Sequence, residues 1–219
     1  CAGGLDSDGT IAEAAIDFDG NGTFDQTIAL PPARLADGME TDSGLWTAAS
    51  PWTRSSEDAF SGAFSFTDSE GGDYGDSQNA ALTSAPVDLS GMTDPKLVFR
   101  HRYAFASGDY GYIEISSNNG TSWTNLTSYT NATLAAWSRQ EISLRTYTGA
   151  TVLVRFRLTS NASGTADGWH LDDIFIGDCL SHTYPVPGNY SPTLRITDNV
   201  GKTDTASRSL AVSKADGLA

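Results

Sequence analysis

The feature that most constrains this chain is a series of short segments in which apolar and polar residues alternate, with turn-forming residues between them. Residues 97–105 place Leu97, Phe99 and His101 on one face and arginines on the other, and residues 152–158 alternate in the same way. An Asn119-Gly120 pair between two such segments is typical of a hairpin turn. This pattern predicts an all-β sandwich in which His101 is a core residue.

A second informative feature is the apolar run at residues 168–174, which contains the adjacent carboxylates Asp172 and Asp173. Successive side chains of a strand point to opposite faces, so we expect one carboxylate to face inward and the other outward. Burial of a carboxylate is costly unless a cation or hydrogen bonds compensate. The alternatives to a cation are pairing with Arg155 or Arg157, or hydrogen bonds from backbone N–H groups.

Composition excludes several classes of protein. The 219 residues carry a formal net charge of −14, which argues against nucleic acid as a partner because phosphates need Lys and Arg. We predict no membrane insertion, since no segment approaches the ~18 consecutive apolar residues of a span. The chain begins at Cys1 in what reads as mid-domain sequence, without a signal peptide, so we expect a mature or excised fragment. Nothing in the sequence indicates the oligomeric state.

Cys1 and Cys179 are the only cysteines, and they are too far apart for a CxxC redox or zinc pair. We predict a disulfide between them, which fits an oxidising compartment and hence a secreted or cell-surface protein. Two buried free thiols are the alternative.

The two ends of the chain share one resemblance. The segments 6–11 and 16–22 resemble the first half of a polycystic-kidney-disease (PKD) repeat, and residues 182–201, with His182-Thr183-Tyr184 and Pro187-Gly188, resemble its second half. The resemblance implies a small immunoglobulin-like sandwich formed by residues 1–30 and 180–213, interrupted by an insertion and followed by a tail at 214–219. Ile16 stands where that family usually has Trp.

The insertion, residues 31–178, resembles the MAM-like jelly-roll modules of secreted bacterial peptidases of the immune inhibitor A type. The matching segments occur in family order and are residues 82–90, 97–103, 109–116, 119–123, 154–157 and 168–174. The resemblance implies a jelly-roll β-sandwich in a secreted setting.

In related jelly rolls a structural calcium ion lies where an early Glu, backbone carbonyls and an Asp of the last strand meet. The resemblance therefore implies a calcium site formed by Glu40, Asp172 and Asp173, with carbonyls from around residues 61–63. Carboxylates and carbonyls are the ligands that calcium prefers.

A second candidate for calcium is the loop 17–25. Asp17, Asp19, Asn21, Gly22 and Asp25 match positions 1, 3, 5, 6 and 9 of an EF-hand loop. The sequence excludes a full EF-hand, because Ile28 occupies the position of the bidentate Glu and the flanking segments read as strands. A weaker calcium loop and a Gly-rich β-turn of the PKD-like unit both remain open.

Other candidates for function are weaker. Residues 68–76 concentrate four carboxylates and predict a solvated loop. Trp52, Tyr74 and Tyr110 lie in loop-like sequence and are the aromatics we expect to be exposed. None of the three histidines lies in a nucleophile or zinc-protease motif.

The sequence therefore favours a non-catalytic accessory module of a secreted or surface bacterial protein, with a protein or polysaccharide substrate of the parent as partner. A carbohydrate-binding or adhesin module with an aromatic ligand face is the alternative, and an enzyme is a third hypothesis.

Overall fold

A computed structural model describes residues 11–29, 34–178 and 182–213. Cys1 and Cys179 lie outside these residues, as does the 214–219 tail. The described residues form two compact units, one built from 11–29 and 182–213 and the other from 34–178. The strands are β1 (Ile11–Asp17), β2 (Gln26–Ala29), β3 (Leu35–Asp37), β4 (Trp46–Ala48), β5 (Thr53–Ser55), β6 (Ser65–Thr67), β7 (Asn79–Ser84), β8 (Val87–Asp88), β9 (Pro95–Ser116), β10 (Thr124–Ser143), β11 (Thr151–Thr159), β12 (Gly168–Asp178), β13 (Gly188–Tyr190), β14 (Thr193–Asp198), β15 (Thr203–Ser207) and β16 (Leu210–Val212).

The prediction of an all-β fold is confirmed. Apart from one 3-10 turn at Arg145–Tyr147, every regular element in the described residues is a strand. No helix in that part of the chain has the length and apolar character needed to cross a bilayer.

In the larger unit the strand order is β4-β7-β11-β9-β12-β6-β5. The 22-residue strand β9 belongs to both halves of the sandwich, because residues 95–104 pair with β12 and residues 110–116 pair with β11. The long strand β10 pairs with β9 along both parts. Rings from the two halves meet in the core, where the centroids of Trp169 on β12 and Phe156 on β11 are 5.6 Å apart.

The alternation predicted for residues 97–105 is confirmed, since Leu97, Phe99, His101 and Phe105 are buried. His101 accepts a hydrogen bond from the Trp169 indole at 3.3 Å, and burial lowers its pKa to about 4. It is a neutral core residue, as expected.

In the smaller unit, β1 lies between β14 and β2 in a four-stranded sheet of order β15-β14-β1-β2. The two sequence segments of this unit are thus joined by antiparallel pairing of residues 11–17 with 193–198. Strands β13 and β16 form a separate two-stranded ribbon. Among the described residues of the smaller unit, the buried apolar side chains are those of Ala14, Ala15 and Ile16 on β1.

Two expectations about exposure are wrong. Trp52 and Tyr74 are buried, with 4% and 2% of their surfaces exposed, because the Trp52 indole donates to the Ala80 carbonyl and the Tyr74 hydroxyl donates to Asp109 at 2.6 Å. The 68–76 loop is not uniformly solvated either, since Asp68 is fully buried.

Candidate functional site

Three of the predicted calcium ligands converge on one short segment, residues 60–64. The Glu40 carboxylate accepts hydrogen bonds from the N–H groups of Ala63, at 3.0–3.1 Å, and Phe64, at 3.0 Å. Asp172 accepts from the N–H groups of Phe60 and Ser61 at 2.8 and 3.1 Å. Residues separated by 132 positions in sequence therefore hold the same segment from its two ends.

Asp173 reaches the same segment, which corrects the expectation that the two aspartates point apart. The Ser61 hydroxyl donates to Asp173 at 2.8 Å. The pairing of β12 with β9 shifts register between Asp172 and Phe175, and Asp173 has a φ of +48°. A bulge with a left-handed residue breaks the alternation of the strand, so both side chains contact Ser61.

The two aspartates differ in environment. Asp172 is fully buried, and its burial, with the neighbouring Asp173 charge, raises its pKa to about 6 against the hydrogen bonds it accepts. Its partners are backbone N–H groups, one of the alternatives left open by the sequence. Arg155 and Arg157 instead bind Glu114.

The close approach of Glu40 to the segment depends on Gly62. This residue has a φ of +61°, and a Cβ atom there would lie 2.3 Å from Cδ of Glu40. Only glycine fits this conformation beside the carboxylate without strain. Carboxylate oxygens are ligands that calcium prefers, and none of these three side chains is a soft ligand. Among the described residues, however, the carboxylate oxygens that lie within 4.8 Å of one another belong to a different group, in the smaller unit.

The second candidate site lies in the smaller unit, in the turn that follows β1. Carboxylate oxygens of Asp17, Asp19 and Asp25 lie within 4.8 Å of one another. Asn21 caps the turn, because its amide donates to Asp19 and its carbonyl accepts from Thr23. The cluster is local in sequence and mostly exposed.

Asp17 is the buried member of this cluster, with 3% of its surface exposed. It accepts hydrogen bonds from the N–H groups of Gly20, at 2.7 Å, and Gly22, at 2.8 Å. Burial acts to raise its pKa, but the hydrogen bonds from Gly22 and Gly20 outweigh it, and the pKa is lowered. The turn thus presents Asp17 as an anion, and these contacts fit both interpretations, a cation loop and a β-turn.

The other two histidines have separate roles. His182 stacks on Phe18 with centroids 3.7 Å apart. His170 is buried behind Trp137, and neither of its ring nitrogens has a hydrogen-bond partner among the described residues.

Sequence reasoning missed one group of functional candidates, on the outer surface of the β10-β9-β11-β7 part of the sandwich. Glu114, only 6% exposed, binds both Arg155 and Arg157. The sequence contains a signal for this group. Tyr110, Tyr112 and Glu114 alternate along one predicted strand, and Arg155 and Arg157 alternate along another, which places each set on one face. We define this arginine–tyrosine face by its members: Tyr110, Tyr112, Glu114, Trp123, Arg155 and Arg157.

The fold and these sites define a β-sandwich module. Residues 102–177 match the family model for Reelin subrepeat B. Bacillopeptidase F of Bacillus subtilis (strain 168) is 29% identical over 108 residues, which is 49% of this chain and 8% of that protein. The chain therefore spans a small fraction of this relative's length.

Among solved structures, the K1 cleaved adhesin domain of Lys-gingipain from Porphyromonas gingivalis W83 is 16% identical, with a TM-score of 0.49 over 67% of this chain and 98% of that one. The C-terminal family 22 carbohydrate binding module of Clostridium thermocellum Xyn10B is 15% identical, with a TM-score of 0.47 over 69% of this chain and 97% of that one.

Proposed function

We propose that this chain is a non-catalytic, calcium-stabilised accessory module of a secreted or cell-surface bacterial protein, and that it helps attach its parent to a protein or polysaccharide substrate. The match to bacillopeptidase F supports a peptidase as the parent. The PKD-like and MAM-like assignments and the Cys1–Cys179 disulfide belong to this proposal as predictions.

The observation that carries the calcium part is the convergence of Glu40, Asp172 and Asp173 on residues 60–64. These three carboxylates, with carbonyls of residues 61–63, would hold the ion in the larger unit. Asp17, Asp19, Asn21 and Asp25 would hold one in the smaller unit. A bound calcium ion supplies positive charge that offsets the repulsion between neighbouring carboxylates. Binding to the folded state alone stabilises it by mass action.

The contacts of the histidines support a non-catalytic role. His101 bonds to a core indole, His182 stacks on Phe18, and His170 is covered. None of these arrangements pairs an imidazole with a Ser or Cys nucleophile within the described residues.

Thermal unfolding with calcium and with chelator tests the calcium role. All five Trp residues lie between 46 and 169, so their fluorescence reports the larger unit alone. We expect calcium to raise the midpoint of the wild type and to lose this effect in Glu40→Gln. The exposed Asp42→Asn, whose carboxylate bonds to Gly44 two residues away, is the matched control. An unchanged wild-type midpoint would refute the calcium role in the larger unit.

Attachment is tested separately, by retention of the chain on insoluble proteins and polysaccharides. Retention on at least one of them supports the module function. Retention on none contradicts it whatever the calcium result.

A further inference from the structure

The arginine–tyrosine face is a continuous part of the sheet surface whose composition follows from strand register. Glu114 lies opposite Arg155 on β11 and Asn125 on β10, and Tyr112 lies opposite Arg157. Paired residues share a face, and the intervening Ile113, Ile115, Val154 and Phe156 are in the core. Three rows of paired residues cross β10, β9, β11 and β7, one through each of Glu114, Tyr112 and Tyr110. Besides the residues already named, the rows contain Ser128 and Thr130 on β10, Thr159 on β11, and Asn79, Ala81 and Thr83 on β7.

The two guanidinium groups are held in fixed positions. Glu114 accepts from Nε of Arg155 at 2.7 Å and from Nε and Nη2 of Arg157 at 2.8 and 2.9 Å. Arg155 stacks over the Trp123 ring at 4.0 Å and Arg157 over the Tyr112 ring at 4.7 Å. Such stacking adds to the fixation of each group. The cost of ordering these long side chains is therefore met before any ligand arrives.

Arg155 keeps its binding groups free. Its two terminal nitrogens have no hydrogen-bond partner among the described residues, and about a fifth of its side chain is exposed. Their fork geometry matches the two oxygens of a carboxylate. Beside it, the rings of Tyr110 and Tyr112 stack with centroids 5.4 Å apart and an interplanar angle of 14°.

Charge selects an anionic ligand. The chain has 27 acidic and 13 basic Lys and Arg residues, yet the three rows contain two arginines and one carboxylate, that of Glu114. This surface is thus positive within an acidic chain, and it complements a negatively charged polymer.

The surroundings favour a polysaccharide over an acidic protein segment. The margins of the three rows carry hydroxyl and amide groups, and their only aliphatic side chain is Ala81, whereas a protein interface needs an apolar centre. An added peptide strand pairs with the edge of a sheet, but here β9 and β11 lie between β10 and β7. Aromatic rings and hydroxyl groups suit the apolar and polar faces of a sugar.

We propose that the arginine–tyrosine face binds a polysaccharide that carries uronic acid residues, with Arg155 binding a uronate carboxylate and the tyrosines contacting sugar rings. This inference rests on the proposed attachment role and names its ligand class.

The test compares binding of the whole chain to sodium polygalacturonate, to the same polymer fully methyl-esterified, and to poly-glutamate, without added calcium. We expect binding to polygalacturonate alone, weakened by sodium chloride. Arg155→Gln is expected to weaken this binding about tenfold, the size of a lost charge-assisted hydrogen bond, and Tyr110→Ala is expected to weaken it as well.

The control Arg145→Gln removes the same charge from an exposed arginine outside the face and is expected to bind like wild type. Near-UV circular dichroism verifies that each variant is folded.

Equal binding of the esterified polymer would overturn the role of Arg155. Binding of poly-glutamate with the same dependence on Arg155 would assign the face to acidic proteins instead. Retention of the chain on a neutral polysaccharide or a protein, without binding to polygalacturonate, would overturn this inference and leave the attachment role intact.

Discussion

The two carboxylate clusters of this protein are built in opposite ways. In the smaller unit, Asp17, Asp19 and Asp25 lie within nine residues and are arranged by one turn. In the larger unit, Glu40 and Asp172 come from distant parts of the chain and meet only because both bind residues 60–64. The first cluster depends on local turn chemistry, and the second depends on the fold of the whole unit.

This difference has an energetic consequence. Loss of a contact in the local cluster affects one exposed turn, whereas loss of a contact in the long-range cluster releases a segment tied to the last strand of the sandwich. The larger unit should therefore respond more strongly to the removal of a carboxylate.

Asp172→Ala gives the largest expected effect. It leaves the N–H groups of Phe60 and Ser61 without their acceptor, and we expect a loss of about 2–4 kcal/mol, since hydrogen bonds to a charged group contribute about 1.5–3 kcal/mol each and relief of carboxylate burial offsets part. Denaturant unfolding followed by Trp fluorescence measures it. Asp42→Ala is the control. Equal stability of the two variants would contradict the claim that the larger unit depends on the carboxylates of the long-range cluster.

Asp68 is a buried carboxylate outside both clusters. Burial, opposed by a hydrogen bond from the Trp169 N–H, raises its pKa from 3.8 to about 7, and its Oδ2 atom has no partner among the described residues. Between pH 4 and 7 the unfolded carboxyl ionises and the folded one does not, so its contribution to stability falls as pH rises.

Asp68→Asn should remove this decline. We expect the free energy of unfolding of the variant to equal that of wild type near pH 4 and to exceed it by about 2 kcal/mol at pH 8. The upper limit is ~4 kcal/mol, because each pH unit between 3.8 and about 7 corresponds to 1.36 kcal/mol. Denaturant unfolding at the two pH values measures the difference. A stability gap that does not change with pH would show that Asp68 is not the titrating group.

Gly62→Ala tests the close approach on which the long-range cluster depends. We expect a loss of about 1–2 kcal/mol from the positive φ and from the conflict with Glu40. Gly44→Ala is the matched control, because Gly44 has a φ of +68° with open space around it. In a Glu40→Ala background the cost of Gly62→Ala should fall towards that of Gly44→Ala. If Gly62→Ala lowers the free energy of unfolding as much in the Glu40→Ala background as in wild type, the conflict with Glu40 is not the cause of the loss.

The sequence was sufficient for the all-β fold and for the faces of residues 97–105, because alternation is a local signal that burial enforces. Through a resemblance it also named Glu40, Asp172 and Asp173 as calcium ligands, and that assignment stays a prediction. It could not place the two aspartates side by side, since the bulge at Asp173 depends on how β12 pairs with β9. The burial of Trp52 and Tyr74 was missed for a similar reason. Their hydrogen-bond partners, Ala80 and Asp109, lie about 30 residues away in sequence.

The smallest expected effect comes from Asp25→Ala in the local cluster. Asp25 accepts one hydrogen bond, from the Phe18 N–H at 2.7 Å, and its removal also relieves repulsion from Asp17 and Asp19. Without calcium we therefore expect a change below about 0.5 kcal/mol, the usual range for a surface substitution. With calcium the variant should lose protection that wild type gains, because one carboxylate ligand is gone.

Hydrogen exchange of the β1 and β14 amides measures this protection, since the smaller unit has no Trp. Asp198→Ala, which removes a turn carboxylate of the same unit outside the cluster, should keep the calcium response. An Asp25→Ala variant that responds to calcium like wild type would leave the turn interpretation of residues 17–25 as the better one.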